Sequence, residues 1–522
     1  MVRLAMASAS FARIYSPPAV AFQVLDSRRK VSNLVIILLH PRSTKPKNRR
    51  FPLAVLSLAA VLEGKEEYAI VDGNADPDPQ KTLNRLAQQG NVTLLAVSVM
   101  PGPQMVAAIP LCREFRAKYP KIPIVWGGYF ASLYPDAALN ANYVDFVVRG
   151  QGEDTFLELI EILHTTRKFA GVKGLSYKDD FGLHVHNAER PLRSPNDFPW
   201  LPYDNLPNSA NYVLPTFLGR RTIVHQASIG CPFRCTFCGV VPIYQGRQRT
   251  EDTARTAAVL AHLKRKYNID SVQFYDNNFF LNESHTAELA KCLIPLNLKW
   301  WCEGRIDTVL RYSDETFRLL KQAGATMIFF GAESGSDWVL QEMNKKISTN
   351  QTLELAARIR RFGIVPEFSF VVGNPKNPEC DTKETIRFIR KIKGANPDAE
   401  IIVQHYIPTP HPDGMYGEVE AKIEFPRTPE EWATERWYNF TTRHDPNVAW
   451  LPRRIKRRID NFELVVNSRW PTVQDIQLPR WGRAMLQCLS SWRYLLGFYE
   501  YPFELEWAQR FVALRKPRLE SL

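Results

Sequence analysis

From residue 34 onward, short apolar runs alternate with stretches of helical periodicity. Runs at 34–39, 68–71, 94–98, 122–126 and 145–148 have strand length, and helical patterns at 52–62, 79–88 and 105–118 separate them. Strands alternating with crossover helices predict a doubly wound, five-stranded parallel sheet. A hairpin follows, with strands at 174–177 and 184–187 around Asp179-Asp180-Phe181-Gly182, and then a proline-rich connector at 191–215 marks a boundary. Six strand–helix repeats come next, with strands at 222–227, 271–275, 298–302, 326–330, 367–372 and 400–406. Their helices are expected at 253–267, 284–293, 313–322, 337–343, 349–362 and 382–393, with Gly363 as a C-cap and Asp381/Glu384 as a capping box. Six βα units predict a partial (βα)6 TIM barrel whose chemistry lies at the carboxyl ends of its strands. The remainder reads as mainly helical. The α/β chain thus divides into an extension (1–30), a first domain (31–165), hairpin and linker (166–218), a barrel core (219–415) and a C-terminal aromatic and basic domain (416–522).

Composition narrows the class. The chain is 45% hydrophobic and 23% charged, as globular proteins are. No apolar run reaches the roughly eighteen residues needed to span a bilayer. Residues 1–30 carry five basic residues and one acid without a clean apolar core, which predicts a disordered extension rather than a leader. The formal charge of +13 is spread widely, with one dense run at 453–458. A solvated helix face explains that run, and so does a phosphate or lipid contact. Seven of the twelve tryptophans lie in 425–522. A small aromatic core explains them, and a lid over the barrel or a patch resting on a membrane fits as well.

The chemistry concentrates in Ser228-Ile-Gly-Cys-Pro-Phe-Arg-Cys-Thr-Phe-Cys-Gly239. Cys231, Cys235 and Cys238 stand at C-x3-C-x2-C spacing. A structural zinc needs four ligands, and the nearest histidine, His225, sits on the strand before the loop. Cysteines this close in a tight loop rarely meet disulfide geometry. Three thiolates suit an iron–sulfur cluster with one iron left open to a substrate or cofactor. The other cysteines are scattered, which fits a reducing cytoplasm.

This loop resembles the signature of the radical S-adenosylmethionine (SAM) superfamily, with Phe237 as the aromatic residue before the last cysteine. The resemblance implies a 4Fe–4S cluster on Cys231, Cys235 and Cys238, with SAM on its open iron. It implies reductive cleavage of SAM to a 5′-deoxyadenosyl radical. Trp301-Cys-Glu-Gly-Arg-Ile-Asp307 and Gly331-Ala-Glu-Ser-Gly-Ser336 resemble the superfamily's SAM-binding segments. Phe237, Asp276, Arg305, Glu333, Ser334 and Gly373 are therefore the candidate SAM contacts.

The first domain resembles the cobalamin-binding, flavodoxin-like domain that precedes many radical SAM cores. Trp126–Pro135 and Val148–Phe156 carry that resemblance. It implies cobalamin at Ser98, Met100, Gly127, Gly128 and Gly150, at the strand ends where such sheets bind ligands. The loop after the first strand lacks D-x-H-x-x-G, and His40 stands there alone. The resemblance therefore implies a cobalamin with no protein imidazole beneath the metal.

The functional expectation is a cobalamin-dependent radical SAM enzyme, of the class B methylase and anaerobic porphyrin cyclase branch, that methylates an unactivated carbon of a small-molecule or lipid substrate. The catalytic residue for that step is unknown from sequence. Oxidative cyclisation or rearrangement is the alternative. RNA modification fits less well, because transfer-RNA methylthio-transferases carry three extra cysteines in the first domain and only Cys112 is present here. A non-enzymatic cluster or cobalamin carrier is disfavoured by the complete set of SAM-type segments. An oxygen-sensitive, cytoplasmic protein is expected, possible membrane contact resting on the C-terminal domain, with flavodoxin or ferredoxin as electron donor.

Overall fold

The computed structural model describes residues 34–409, 423–442, 448–471, 478–508 and 511. The extension expected at 1–30 lies outside them. Five strands, β1 (Val35–His40), β2 (Glu67–Asp72), β3 (Val92–Ser98), β4 (Ile124–Gly127) and β5 (Phe146–Val148), pair in parallel in the order β2-β1-β3-β4-β5. β1 is apolar along its length because both of its faces are covered. Ile36 and Leu38 enter one core, and Ile37 and Leu39 the other.

The hairpin belongs to this sheet. β6 (Leu175–Lys178) runs antiparallel beside β5, and β7 (His184–His186) runs antiparallel beside β6. The sequence placed it in the linker; edge pairing with β5 is invisible to local pattern. The connector is also packed. Tyr203 and Tyr212 are buried with their rings 5.0 and 5.1 Å from that of Phe51, and Tyr212 donates to Asp72 at 2.7 Å. One continuous core therefore joins the first sheet to the outer face of the second.

That second sheet holds six parallel strands: β8 (Thr222–His225), β11 (Ser271–Phe274), β12 (Lys299–Gly304), β13 (Ala325–Glu333), β14 (Val365–Val372) and β15 (Glu400–His405), in chain order from one edge to the other. A two-stranded ribbon, β9 (Ser228–Gly230) and β10 (Gln248–Thr250), follows β8. Alternation separates the faces of the barrel wall. Trp300, Cys302, Ile328 and Phe330 join the outer core under the helices. Trp301 and Met327 form a separate inner cluster with Leu218, on the same face as Glu367, which accepts from Trp301 Nε1 at 3.0 Å.

Asp381 does not cap a helix. The last core helix starts at Pro378, with Asn377 as its cap, and runs to Ala395. Asp381 is buried one turn in. It accepts from the Gly373 and Asn374 amides at 2.9 and 3.0 Å and from Ser334 Oγ at 2.8 Å. A capping box exists instead at Ser348 and Gln351. The C-terminal segment divides its tryptophans. Trp432 and Trp437 pack with Phe425 and Phe440 against Phe130 and Tyr134 of the first domain. Trp481, Trp492 and Trp507 are exposed.

Candidate functional site

The cysteine loop leaves β9 at Gly230, whose φ is 80°. A Cβ there would stand 2.2 Å from the Arg247 carbonyl, so the turn requires glycine. The loop is tied to the turn after the helix Asp337–Glu342. Thr236 N donates to Met343 O (3.1 Å), Thr236 Oγ1 to Glu342 O (3.0 Å) and Asn344 Nδ2 to Arg234 O (2.8 Å). Phe237 packs with Met343, Val371 and Tyr406, and its carbonyl accepts from Thr409 at 3.0 Å.

The three thiols lie within electrostatic reach of one another. Burial raises the Cys231 thiol, and the neighbouring Cys235 adds to that. Burial and then the other two sulfurs push Cys238 up to about 12. Among the described residues, no three His, Cys, Asp or Glu side chains converge tightly enough for a single metal ion. A cluster spreads its ligands over separate irons and so does not need them to converge on one point.

Two buried cations adjoin the triangle. Arg305 stacks on Phe233 at 3.7 Å and donates to Cys235 Sγ (3.4 Å), Asp307 (3.0 Å) and the Lys345 carbonyl (2.6 Å). Its guanidinium is thus engaged with the cysteine loop. Lys345 pairs with Glu333 at 2.6 Å, and both side chains are buried. Glu333 has φ 63°, at an irregularity in the β13–β14 pairing that turns it toward this lysine. Strain of this kind gathers at functional sites. A Cβ on Gly331 would lie 2.2 Å from the Glu333 carboxylate, so that glycine makes room for the pair.

Asp276 follows β11. Its Oδ2 accepts from Ala227 N at 3.2 Å, while Oδ1 is buried without a partner. Burial lifts it to about 7. Glu303, on β12, is raised to about 8 by burial and then by the carboxylates of Glu367, Asp276 and Glu333. The barrel interior therefore holds two carboxyls poised near neutrality. Of the other candidates, Ser334 commits its hydroxyl to Asp381, and Gly373 (φ 99°) packs against Leu451. Lys345 carries no signal in the sequence beyond an ordinary basic residue after a helix, and Glu303 stands there only within the segment Trp301–Asp307.

The first domain's loops meet the cysteine loop across a cavity of about 500 Å³. Ser98, Met100, Gly127, Gly128 and Gly150 all line it. So do Ile229, Val240 and Ile243, which flank the cysteines in the chain. Gly128 has φ 91°, and a Cβ there would meet Val99 and Ser98 at 3.1–3.2 Å. The loop's own packing therefore already favours glycine at this position. Gly239, directly after Cys238, packs so closely on Tyr129 that a Cβ would stand 2.0 Å from the phenol oxygen.

His40 does not line this cavity. It is half-buried, with Nδ1 3.1 Å from the Gln104 amide, which also accepts from Met100 N at 2.8 Å. His225 does line it, but Tyr203 and Glu251 each sit 3.0 Å from one of its ring nitrogens. Neither histidine presents an open nitrogen to the cavity.

Residues 226–389 match the radical SAM superfamily, and residues 41–160 match the B12 binding domain. An uncharacterized methyltransferase of Pyrococcus horikoshii is 26% identical over 69% of this chain and 76% of its own length. The anaerobic magnesium-protoporphyrin IX monomethyl ester cyclase of Synechocystis sp. is 24% identical over 72% of this chain and 75% of its own. The structure of OxsB, a cobalamin-dependent S-adenosylmethionine radical enzyme with aqua-cobalamin bound, superimposes with a TM-score of 0.66 at 15% identity, covering 92% of this chain and 75% of OxsB. That likeness concerns the fold.

Proposed function

Because the chain is a radical SAM enzyme that carries a B12-binding domain, we propose that it methylates an unactivated carbon of a small-molecule or lipid substrate. Its cofactors are a 4Fe–4S cluster, SAM and cobalamin. The observation that carries the reading is the shared cavity, which sets the strand-end loops of the first domain against the cysteine loop of the second.

The residues present fit these groups. Three mutually close thiols with the cations of Arg305 and Lys345 beside them suit an anionic, thiolate-held cluster on Cys231, Cys235 and Cys238. The unpartnered Asp276 Oδ1 and the paired Glu333 carboxylate offer acceptors for the cationic end of SAM. The glycine-lined, largely apolar cavity suits cobalamin held without a protein imidazole. Bound together, these groups supply one-electron cleavage of a carbon–sulfur bond and a transferable methyl group.

The chain supplies position and exclusion of water. Arg305 orients Cys235, Lys345 fixes Glu333, and Val240, Ile243 and Trp200 keep the cavity wall apolar. Glu303, raised to about 8, is mostly protonated at neutral pH and can donate a hydrogen bond within the barrel. An external one-electron donor such as flavodoxin or ferredoxin completes the system.

The cyclase relative supports oxidative ring closure as the alternative. Anaerobic reconstitution with cluster, SAM, cobalamin and a reductant, followed by product mass spectrometry on cell extracts as substrate, separates the two. Methylation adds one methylene per product and consumes SAM to the demethylated thioether. Loss of hydrogen or gain of oxygen with no methylene added would replace this reading with cyclisation.

A further inference from the structure

The helix Arg480–Leu496 carries apolar side chains on two faces, with Met485, Leu486 and Leu489 packed on the core and a second set turned outward. Its inner face buries Leu486, Ser490 and Tyr494 and also Arg493, which pairs with Glu504 and donates to the Glu500 and Tyr501 carbonyls. Its exposed positions after Arg480 are Trp481, Ala484, Cys488, Trp492, Leu495 and Leu496. They recur at three- and four-residue spacing, so they form one stripe along the helix. A surface helix normally turns charged and polar residues outward. Here Leu495 and Leu496 are 72% and 76% exposed.

The stripe continues into the segment that follows. Phe498 stacks on Trp492, Tyr501 stacks on Phe503, and Trp507 and Phe511 make a tilted ring contact in the open. Contiguous apolar surface of this extent marks an interaction site. Tryptophan, tyrosine and phenylalanine with leucine is the composition that settles at the boundary between lipid headgroups and acyl chains.

Charge decides between a bilayer and a second copy. Arg390 bonds Tyr499 and the Leu495 carbonyl, and Arg458 acts electrostatically on Tyr499. The stripe therefore ends beside two basic surfaces, exposed Arg387 and Lys391 on one helix and exposed Arg453, Arg454 and Arg457 on another. From residue 451 to 522 the sequence has thirteen Arg or Lys against seven Asp or Glu. A two-fold contact between copies would bring these like charges together, whereas an anionic lipid surface complements them.

We propose that the exposed face of Arg480–Leu496, with the aromatic residues that follow it, seats the protein on an anionic lipid bilayer, and that the basic run 453–458 contacts the headgroups. Among the described residues no helix is long and apolar enough to cross a membrane, so the contact is peripheral.

The test is cosedimentation of the full chain, loaded with cluster and cobalamin, with vesicles of phosphatidylcholine alone or of equimolar phosphatidylcholine and phosphatidylglycerol. The native protein should pellet with the anionic vesicles at low salt, release at high salt, and show a blue shift of tryptophan emission when bound. Leu495→Glu/Leu496→Glu alters only exposed side chains, so cobalamin content reports retained folding while vesicle binding is lost. Arg453→Gln/Arg454→Gln/Arg457→Gln should weaken anionic binding by about fivefold per arginine, roughly a hundredfold together. The proposal is overturned if the native protein stays in solution with both vesicles, or if the Leu→Glu pair binds them as well as native. It is also overturned if the native protein is a dimer that the same pair converts to monomer, with no affinity for lipid.

Discussion

Gly239→Ala tests whether the cavity depends on the contact between the cysteine loop and the first domain. The added methyl would sit 2.0 Å from Tyr129 Oη and 2.8 Å from Cζ, about 1.4 Å inside the 3.4 Å at which ordinary contact begins. Leu133 Cδ1, at 3.3 Å, closes another direction of escape. The tyrosine must therefore move, and Tyr129 starts the helix that follows Gly127–Gly128 on the cavity wall. Overpacking of this size costs about 1–3 kcal/mol. If that cost falls on closure of the two loops around cobalamin, affinity should drop roughly five- to 150-fold. Equilibrium dialysis of cobalamin into cluster-loaded protein measures it, and iron content is the control, because the cysteines themselves are untouched. Tyr129→Ala in the same chain removes the obstructing ring and should return most of the loss. Unchanged cobalamin affinity in Gly239→Ala would refute the reasoning, as would a loss that Tyr129→Ala fails to relieve.

Cys235→Ala removes one of three thiolates and one acceptor of Arg305, so cluster iron and deoxyadenosine formation should both fall to background in an anaerobic assay. Breaking the buried Lys345–Glu333 pair from either side should destabilise by about 3–5 kcal/mol, whereas Glu333→Gln with Lys345→Met should cost less than the sum, measured by denaturant unfolding of the barrel. Burial lowers Lys393 to about 7, with its amine on the Pro397 and Ala399 carbonyls at 2.7 Å. The unfolded chain then holds one more proton between about pH 7 and 10.5, so stability contributed here rises with pH across that window, and Lys393→Met should flatten the slope. The Co(II) spectrum of bound cobalamin should carry no splitting from a protein nitrogen, because both ring nitrogens of His225 are engaged and His40 lies off the cavity.

The sequence by itself determined the parts of this protein that repeat or that need a fixed local spacing. Hydrophobic period and turn residues are local, so five parallel strands and six βα units were legible without coordinates. The cysteine triplet was legible because all its members lie in one loop. The glycine pairs at the strand ends were legible because topology alone says where those ends point. Contacts between distant segments were not. Asp381 looked like a cap because Glu384 follows it, and only the fold brings the Gly373 amide and the Ser334 hydroxyl to its carboxylate. Arg305 looked available to a ligand until Cys235, seventy residues earlier, was found beside it. Lys345 carried no signal, since its partner Glu333 reaches it through a positive φ that no pattern encodes. The C-terminal part was readable as mainly helical, but not which apolar side chains of Arg480–Leu496 stay exposed. Periodicity fixes which residues share a face, and only tertiary packing decides which face the core covers.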